Sequence, residues 1–232
     1  MHASFESSDS VVLVTGATGT LGSSAVRTFA DAGATVCATA RHPPDEESAL
    51  DPDGPFDFYA GDFADAEDAG RVVESVVRDH GRLDALLCIA GTWRGGDPVE
   101  DTDASTFDLL FDVNLRTVFL AAKHALPHLQ ASEGSMVAVS ARSSLEGGTG
   151  DALYRASKAG VRLLVESIAA ENEGTVRANA VLPSVIDTPA NREMMPDADH
   201  GKWVDPADIA AVMLFLCSDA AAPTSGAAVP VY

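Results

Sequence analysis

An apolar run, Val11–Val14, hands directly into Thr15-Gly16-Ala17-Thr18-Gly19-Thr20-Leu21-Gly22, and a helical pattern over about Leu21–Ala32 follows at once. A strand that ends in so tight a turn and restarts as a helix is the first half of a crossover to a parallel strand. The rest of the chain repeats that demand. Strand-like runs at Ala34–Thr39, Phe56–Ala60, Leu83–Ile89, Met136–Ser140, Val176–Leu182 and Ala227–Val231 alternate with helical patterns. The helices are expected over Asp65–His80, over Thr106–Gln130 with Pro127 placed to end or kink it, over Ala152–Glu171, and over Ala207–Cys217. The last is capped near Asp205, with Pro206 at its first position. Such alternation predicts an α/β chain, a doubly wound parallel sheet with helices on both faces. His42–Pro55, rich in Pro and Asp, reads as an exposed loop, and neither repeat nor linker divides residues 1–232, which read as one domain.

The glycine turn carries the first chemical information. Gly16 permits the tight turn, Gly19 lets backbone approach a pyrophosphate, and Gly22 lets the helix pack on the sheet. Thr18, Thr20 and Leu21 complete a helix N-terminus whose free N–H groups and partial positive charge suit phosphate. A glycine cluster alone is an ordinary turn; between strand and helix at the front of an alternating chain it predicts a dinucleotide site on a single Rossmann-type sheet. The end of the second strand selects the dinucleotide. An acid there would hold the ribose 2′-hydroxyl of NAD(H), but the positions are Ala40 and Arg41. Arg41 suits a 2′-phosphate, which favours NADP(H) over NAD(H). Asp62, just past the third strand, is placed to touch the adenine edge.

Downstream, Tyr154-Arg-Ala-Ser-Lys158 puts a phenol and an ammonium one helical turn apart. A cation so placed is expected to lower a phenol pKa that starts near 10, so that Tyr154 can exchange a proton with a carbonyl oxygen. Lysine is scarce in the chain, with only Lys123, Lys158 and Lys202. The same spacing also occurs in exposed helical pairs, and the upstream phosphate turn is what turns it toward catalysis.

Composition removes other classes of function. A formal net charge of −20 argues against nucleic acid and anionic membrane as partners. The acids lie in short clusters such as Asp45-Glu46-Glu47 and Asp197-Ala-Asp199, the pattern of a solvated acidic surface. With few lysines and much Asp, this reads as a halophile-like composition, in which counterions screen self-repulsion. Cys37, Cys88 and Cys217 are isolated thiols, and His2, His42, His80, His124, His128 and His200 are scattered, so no metal site is expected. No apolar run reaches membrane length and the N-terminus has no leader pattern, so a cytoplasmic location is expected.

In order along the chain, the glycine turn, Ala90-Gly91 after the fourth strand, Asn114, and Tyr154 with Lys158 resemble the short-chain dehydrogenase/reductase family over nearly the whole length. The resemblance implies that Tyr154 is the general acid/base and that Lys158 holds the nicotinamide ribose and lowers the phenol pKa. It implies that Asn114 anchors a proton-relay water, and that Pro183-Ser184-Val185-Ile186-Asp187-Thr188 lies beside the nicotinamide carboxamide, Ser184 replacing a family glycine. Four positions depart from the common members: Thr20 where they have glycine, Cys88-Ile89 where they have Asn-Asn, and Ala141 where they carry a catalytic serine, thirteen positions before the tyrosine. Ser143, and less so Ser140, stand near enough in sequence to substitute for that serine, with loop-capping as their alternative role.

The dihydropteridine reductase branch lacks the serine in the same way. Asp84–Gly96 with its Trp93, Ser140–Gly148, and Asp187–Asp199 with Asn191, followed by Trp203, are similar to that branch. Asn114 and Ala40-Arg41 are not: the branch lacks the asparagine and is expected to prefer NADH.

The resemblance thus implies an NAD(P)(H)-dependent oxidoreductase moving hydride between nicotinamide and a small carbonyl or conjugated C=N acceptor, a quinonoid dihydropteridine among them. Trp93, Ala141 and Asn191 are the expected substrate contacts, Trp93 as a stacking face or a loop-packing residue. Two alternatives stay open: an alcohol/ketone reductase of the same family, 3-oxoacyl substrates included, and a catalytically degenerate nucleotide-binding regulator. Arg192–Trp203 reads as a mobile lid. Apolar faces on Thr106–Gln130 and Ala152–Glu171 suit a homodimer or homotetramer, the family's habit.

Overall fold

The computed structural model of the protein describes residues 10–45 and 48–232; His2, Glu46 and Glu47 lie outside the described residues. Seven strands form one sheet: β1 (Val11–Thr15), β2 (Thr35–Ala40), β3 (Asp57–Ala60), β4 (Ala85–Cys88), β5 (Ser135–Val139), β6 (Arg177–Pro183) and β7 (Ala228–Val231). Their order is β3-β2-β1-β4-β5-β6-β7 and every pairing is parallel. The chain first adds strands on one side of β1 and then, from β4, on the other. That reversal leaves a crevice at the C-terminal ends of β1 and β4.

Alternation along β1 sends Val11 and Leu13 to one apolar layer and Val12 and Val14 to the other. The first layer is closed by α2 (Ala66–His80), α4 (Thr117–Ser132) and α5 (Ala152–Glu171), the second by α1 (Thr20–Asp31) and α7 (Pro206–Cys217). A strand covered on both sides must be apolar throughout, which is why β1, β4 and β5 read as unbroken apolar or small runs. Full burial of a Leu13-sized side chain stabilises the fold by about 1.5–3 kcal/mol. Helix starts follow the expected chemistry: Asp65 accepts from the N–H of Glu67 and Asp68, and Asp205 from that of Ala207 beside Pro206.

One expected helix is not a single helix. Thr106–Gln130 is divided into α3 (Ala104–Phe111), a π-helical turn (Asp112–Arg116) and α4. Pro127 neither ends nor begins an element; α4 runs through it to Ser132. Its exposed position leaves the carbonyl that loses an N–H partner next to water. A last short helix, α6 (Pro189–Met194), follows β6, and Arg192 within it forms a two-pronged ion pair with Asp187, at 2.6 and 2.7 Å. No described helix is long and apolar enough to cross a membrane.

Candidate active site

The crevice is a cleft of 1310 Å³ running across the ends of β1, β2, β4, β5 and β6. At one end lies the glycine turn. Gly16 has φ +68°, and a Cβ on Gly22 would fall 2.1 Å from the carbonyl oxygen of Gly16, so neither tolerates a side chain. Gly19 meets only ordinary contact within the protein, which leaves its open side to the cleft. It forms the N-cap of α1 with no side chain capping the helix and no acid in the first turn. The N–H groups of that turn therefore face the cleft without a protein anion to satisfy them. Thr18, Thr20 and Leu21 line the same end, as do Arg41 beyond β2 and Asp62 beyond β3. Asp62 also braces its own loop by accepting from the N–H of Ala64. The hydroxyl of Thr39, fully buried at the end of β2, has no hydrogen-bond partner among the described residues.

At the other end stand the residues expected to handle the proton. Tyr154 and Lys158 rise from α5 into the cleft, as their spacing predicts. Lys158 is 4% exposed, and its Nζ donates to the carbonyl of Val139 at 3.0 Å. Burial without a carboxylate partner pulls its pKa down to about 8. Tyr154 corrects an expectation. Its pKa is not lowered by the lysine; burial, and then the charge of Asp151, push it up to about 12. The ammonium is turned toward Val139 rather than the phenol, and desolvation of a phenolate outweighs an attraction that the geometry does not deliver. Asp151 is itself paired with Arg155 at 2.6 Å.

Asn114 does not line the cleft. It sits fully buried in the π-helical turn, where its Oδ1 accepts from the N–H of Thr92 at 2.7 Å and its Nδ2 donates to the carbonyl of Thr92 at 3.0 Å. Nδ2 also donates to Ser157 Oγ, which in turn donates to the carbonyl of Tyr154. The side chain thus ties the loop after β4 to α5. Gly91 lies in the same knot: a Cβ there would come within 2.9 Å of Lys158 Nζ and 3.2 Å of Asn114 Oδ1.

The serines divide by role. Ser140 is buried, its Oγ donating to the carbonyl of Lys158 at 2.7 Å and lying 3.1 Å from Ser144 Oγ, so it holds α5 against β5. Ser143 lines the cleft, and its hydroxyl makes no hydrogen bond among the described residues. Ala141 lines it too, in extended backbone. Ala90, Gly91, Trp93, Pro183, Ile186, Thr188 and Asn191 complete the expected set on the cleft wall. Thr188 caps α6 by accepting from the N–H of Asn191. The Asn191 amide donates to the carbonyl of Ile186, so this residue braces the loop as well as facing the cleft. Among the described residues no group of three His, Cys, Asp or Glu side chains could hold a metal ion.

Sequence reasoning missed Ser157, the Val139 carbonyl and the Asp151–Arg155 pair. Ser157 had one faint signal, its place one helical turn after Tyr154. Asp151 and Arg155 had the four-residue spacing of a helical ion pair, whereas the Val139 carbonyl reaches Lys158 from nineteen residues away.

A family model described as enoyl-(acyl carrier protein) reductase matches residues 16–231. The chain belongs to the short-chain dehydrogenase/reductase family. This family member is 32% identical to the 3-oxoacyl-[acyl-carrier-protein] reductase of Thermotoga maritima over 93% of each chain. It is also 32% identical to the meso-2,3-butanediol dehydrogenase of Serratia marcescens, over 95% of this chain and 92% of that one. Among solved structures, the ligand-free aldohexose dehydrogenase of Thermoplasma acidophilum superposes with a TM-score of 0.86 at 25% identity, over 96% of this chain and 92% of that one. The oxidoreductase family uses nicotinamide cofactors, and the uncapped α1 terminus and glycine-lined turn are a cradle of the right chemistry for one.

Proposed function

We propose that the enzyme reduces a small ketone, or oxidises the corresponding secondary alcohol, with NADP(H) preferred to NAD(H). The observation that carries this reading is the placement of Tyr154 and Lys158 on the same cleft as the uncapped, glycine-lined terminus of α1. The relatives named for 3-oxoacyl and diol substrates support it over the quinonoid dihydropteridine reading. The pteridine remains the second reading, favoured by Trp93 on the cleft wall and by the absent serine donor at Ala141.

The glycine turn would hold the pyrophosphate, Arg41 the 2′-phosphate, and Asp62 the adenine edge. Ala90, Gly91, Pro183, Ile186 and Thr188 would flank the nicotinamide riboside, which supplies or accepts the hydride when bound. Tyr154 Oη gives its proton to the carbonyl oxygen during reduction and takes it back during oxidation. A phenol held at about 12 is protonated and ready to donate throughout the neutral range. Lys158, on the same helix with its Nζ on the Val139 carbonyl, would hold the nicotinamide ribose, and Asn114 ties the loop after β4 to that helix. Ser143 supplies the hydrogen bond to the carbonyl oxygen that Ala141 cannot, since Ser140 is committed to Lys158.

Phe107, Phe119 and Leu163, exposed on α3, α4 and α5, support assembly as a homodimer or homotetramer. The reading is tested by following NADPH and NADH consumption with cyclic ketones, vicinal diketones, a 3-oxoacyl thioester and quinonoid dihydropterin in parallel. Ketone-dependent oxidation of NADPH is expected. Consumption with dihydropterin alone would transfer the assignment to the second reading.

A further inference from the structure

Among the described residues, four cationic side chains line the cleft: Arg41, Arg142, Arg155 and Lys158. Three have work assigned by their surroundings. Arg41 stands at the end of β2, Lys158 is buried with its Nζ on the Val139 carbonyl, and Arg155 is held by Asp151 and by the carbonyls of Ser143, Glu146 and Gly147. Arg142 is left. It is exposed, it follows Ala141 directly, and it lines the same cleft as Tyr154, Trp93 and Met194.

Its situation differs from that of most arginines in this chain. With 35 acids to 15 Lys and Arg, most arginines find a carboxylate: Arg71, Arg78, Arg82, Arg116, Arg155, Arg162 and Arg192 are all paired. Arg142 has no carboxylate in ion-pair contact among the described residues. Its contact is the ring of Tyr232, whose centroid lies 5.2 Å from the guanidinium carbon. An aromatic face orients a guanidinium without neutralising it. Glu146 also lines the cleft, and the overall charge of −20 repels anions, so a kept, oriented cation is what admits one here.

We propose that Arg142 selects substrates that carry an anionic oxygen group, a carboxylate or a phosphate, on the same small molecule as the reacting carbonyl. The inference rests on the carbonyl-reductase reading above. The planar fork presents two parallel N–H donors to two anionic oxygens, whereas a neutral amide offers one acceptor and an NH₂ that the guanidinium cannot satisfy. A charge-assisted pair of this kind corresponds to roughly tenfold or more in selectivity.

The test uses two matched pairs: 4-oxopentanoate against 4-oxopentanamide, and dihydroxyacetone phosphate against dihydroxyacetone. For the wild type, R142Q, R142K and the charge control R78Q on α2, kcat/KM is measured with NADPH. Binding of the same four compounds to the NADP⁺-saturated protein is measured by calorimetry. The wild type and R78Q should favour the anionic member of at least one pair by about tenfold or more. R142Q should bring that ratio near one, and R142K, with charge but no fork, should fall between. The pair that shows the preference identifies carboxylate or phosphate. A wild-type ratio near one in both pairs, or a ratio kept in R142Q, overturns the proposal. Anion-selective binding without any turnover keeps Arg142's role and removes the carbonyl-reductase reading; turnover without anion preference does the reverse.

Discussion

Lys158 stores a cost that can be measured. Holding its ammonium in a site that lowers the pKa from 10.5 to about 8 costs, at 1.36 kcal/mol per pKa unit, about 3 kcal/mol near neutrality. K158M removes that cost and also the hydrogen bond to Val139, worth about 1 kcal/mol net. At pH 7 the variant should therefore be about 2 kcal/mol more stable than the wild type while losing activity, a stabilising change at a functional residue. The sign with pH follows from linkage. Between pH 8 and 10.5 the unfolded chain holds a proton that the folded chain has released, so wild-type stability rises with pH. The contribution is fully present above 10.5 and is lost as pH falls through about 8. The rise in Tyr154 pKa acts oppositely above pH 10, but both proteins share it and it cancels in their difference. Urea unfolding of the two proteins at fixed ionic strength and protein concentration, from pH 7 to 10.5, measures that difference. It should swing by about 3 kcal/mol toward the wild type. Parallel pH curves, with K158M the less stable at pH 7, would refute a charged, uncompensated Lys158.

Three further outcomes are expected. N114A leaves the N–H of Thr92 and the Ser157 hydroxyl without their buried partner, and should cost about 2–4 kcal/mol by urea unfolding along with most of the activity. S143A should lower kcat by about 10²-fold with little change in stability, whereas S140A should lose about 1 kcal/mol of stability and keep a larger share of kcat. Equal kcat losses in the two would remove the division of roles drawn between them. The net charge of −20 predicts a melting midpoint that rises with KCl as self-repulsion is screened; a midpoint that stays level or falls would end the halophile-like reading.

The sheet and the glycine turn were legible because each rests on local pattern. Strands buried on both faces must be apolar throughout, and a strand that meets a helix at Gly16–Gly22 leaves little choice of conformation. The π-helical turn was not legible. Asn114 looks like one more helical residue until Thr92, distant in sequence, supplies both halves of an amide-to-backbone pair that goes with a locally slipped helix. The same limit applies to Tyr154. A four-residue spacing puts a cation one turn away, but the sign of the pKa change depends on how deeply the phenol is buried and where the ammonium points. Ser140 and Ser143 were indistinguishable in the sequence, and only the commitment of Ser140 to the Lys158 carbonyl separates them.

The central claim is that Tyr154 moves the proton in a cleft that binds the nicotinamide dinucleotide through other residues. Y154F tests it in one experiment: NADPH binding by fluorescence titration, and ketone-dependent NADPH consumption at 340 nm, on the same preparation. Binding within a few-fold of the wild type with turnover reduced by roughly 10²–10⁴-fold is the predicted result. Turnover at the wild-type rate would contradict the account.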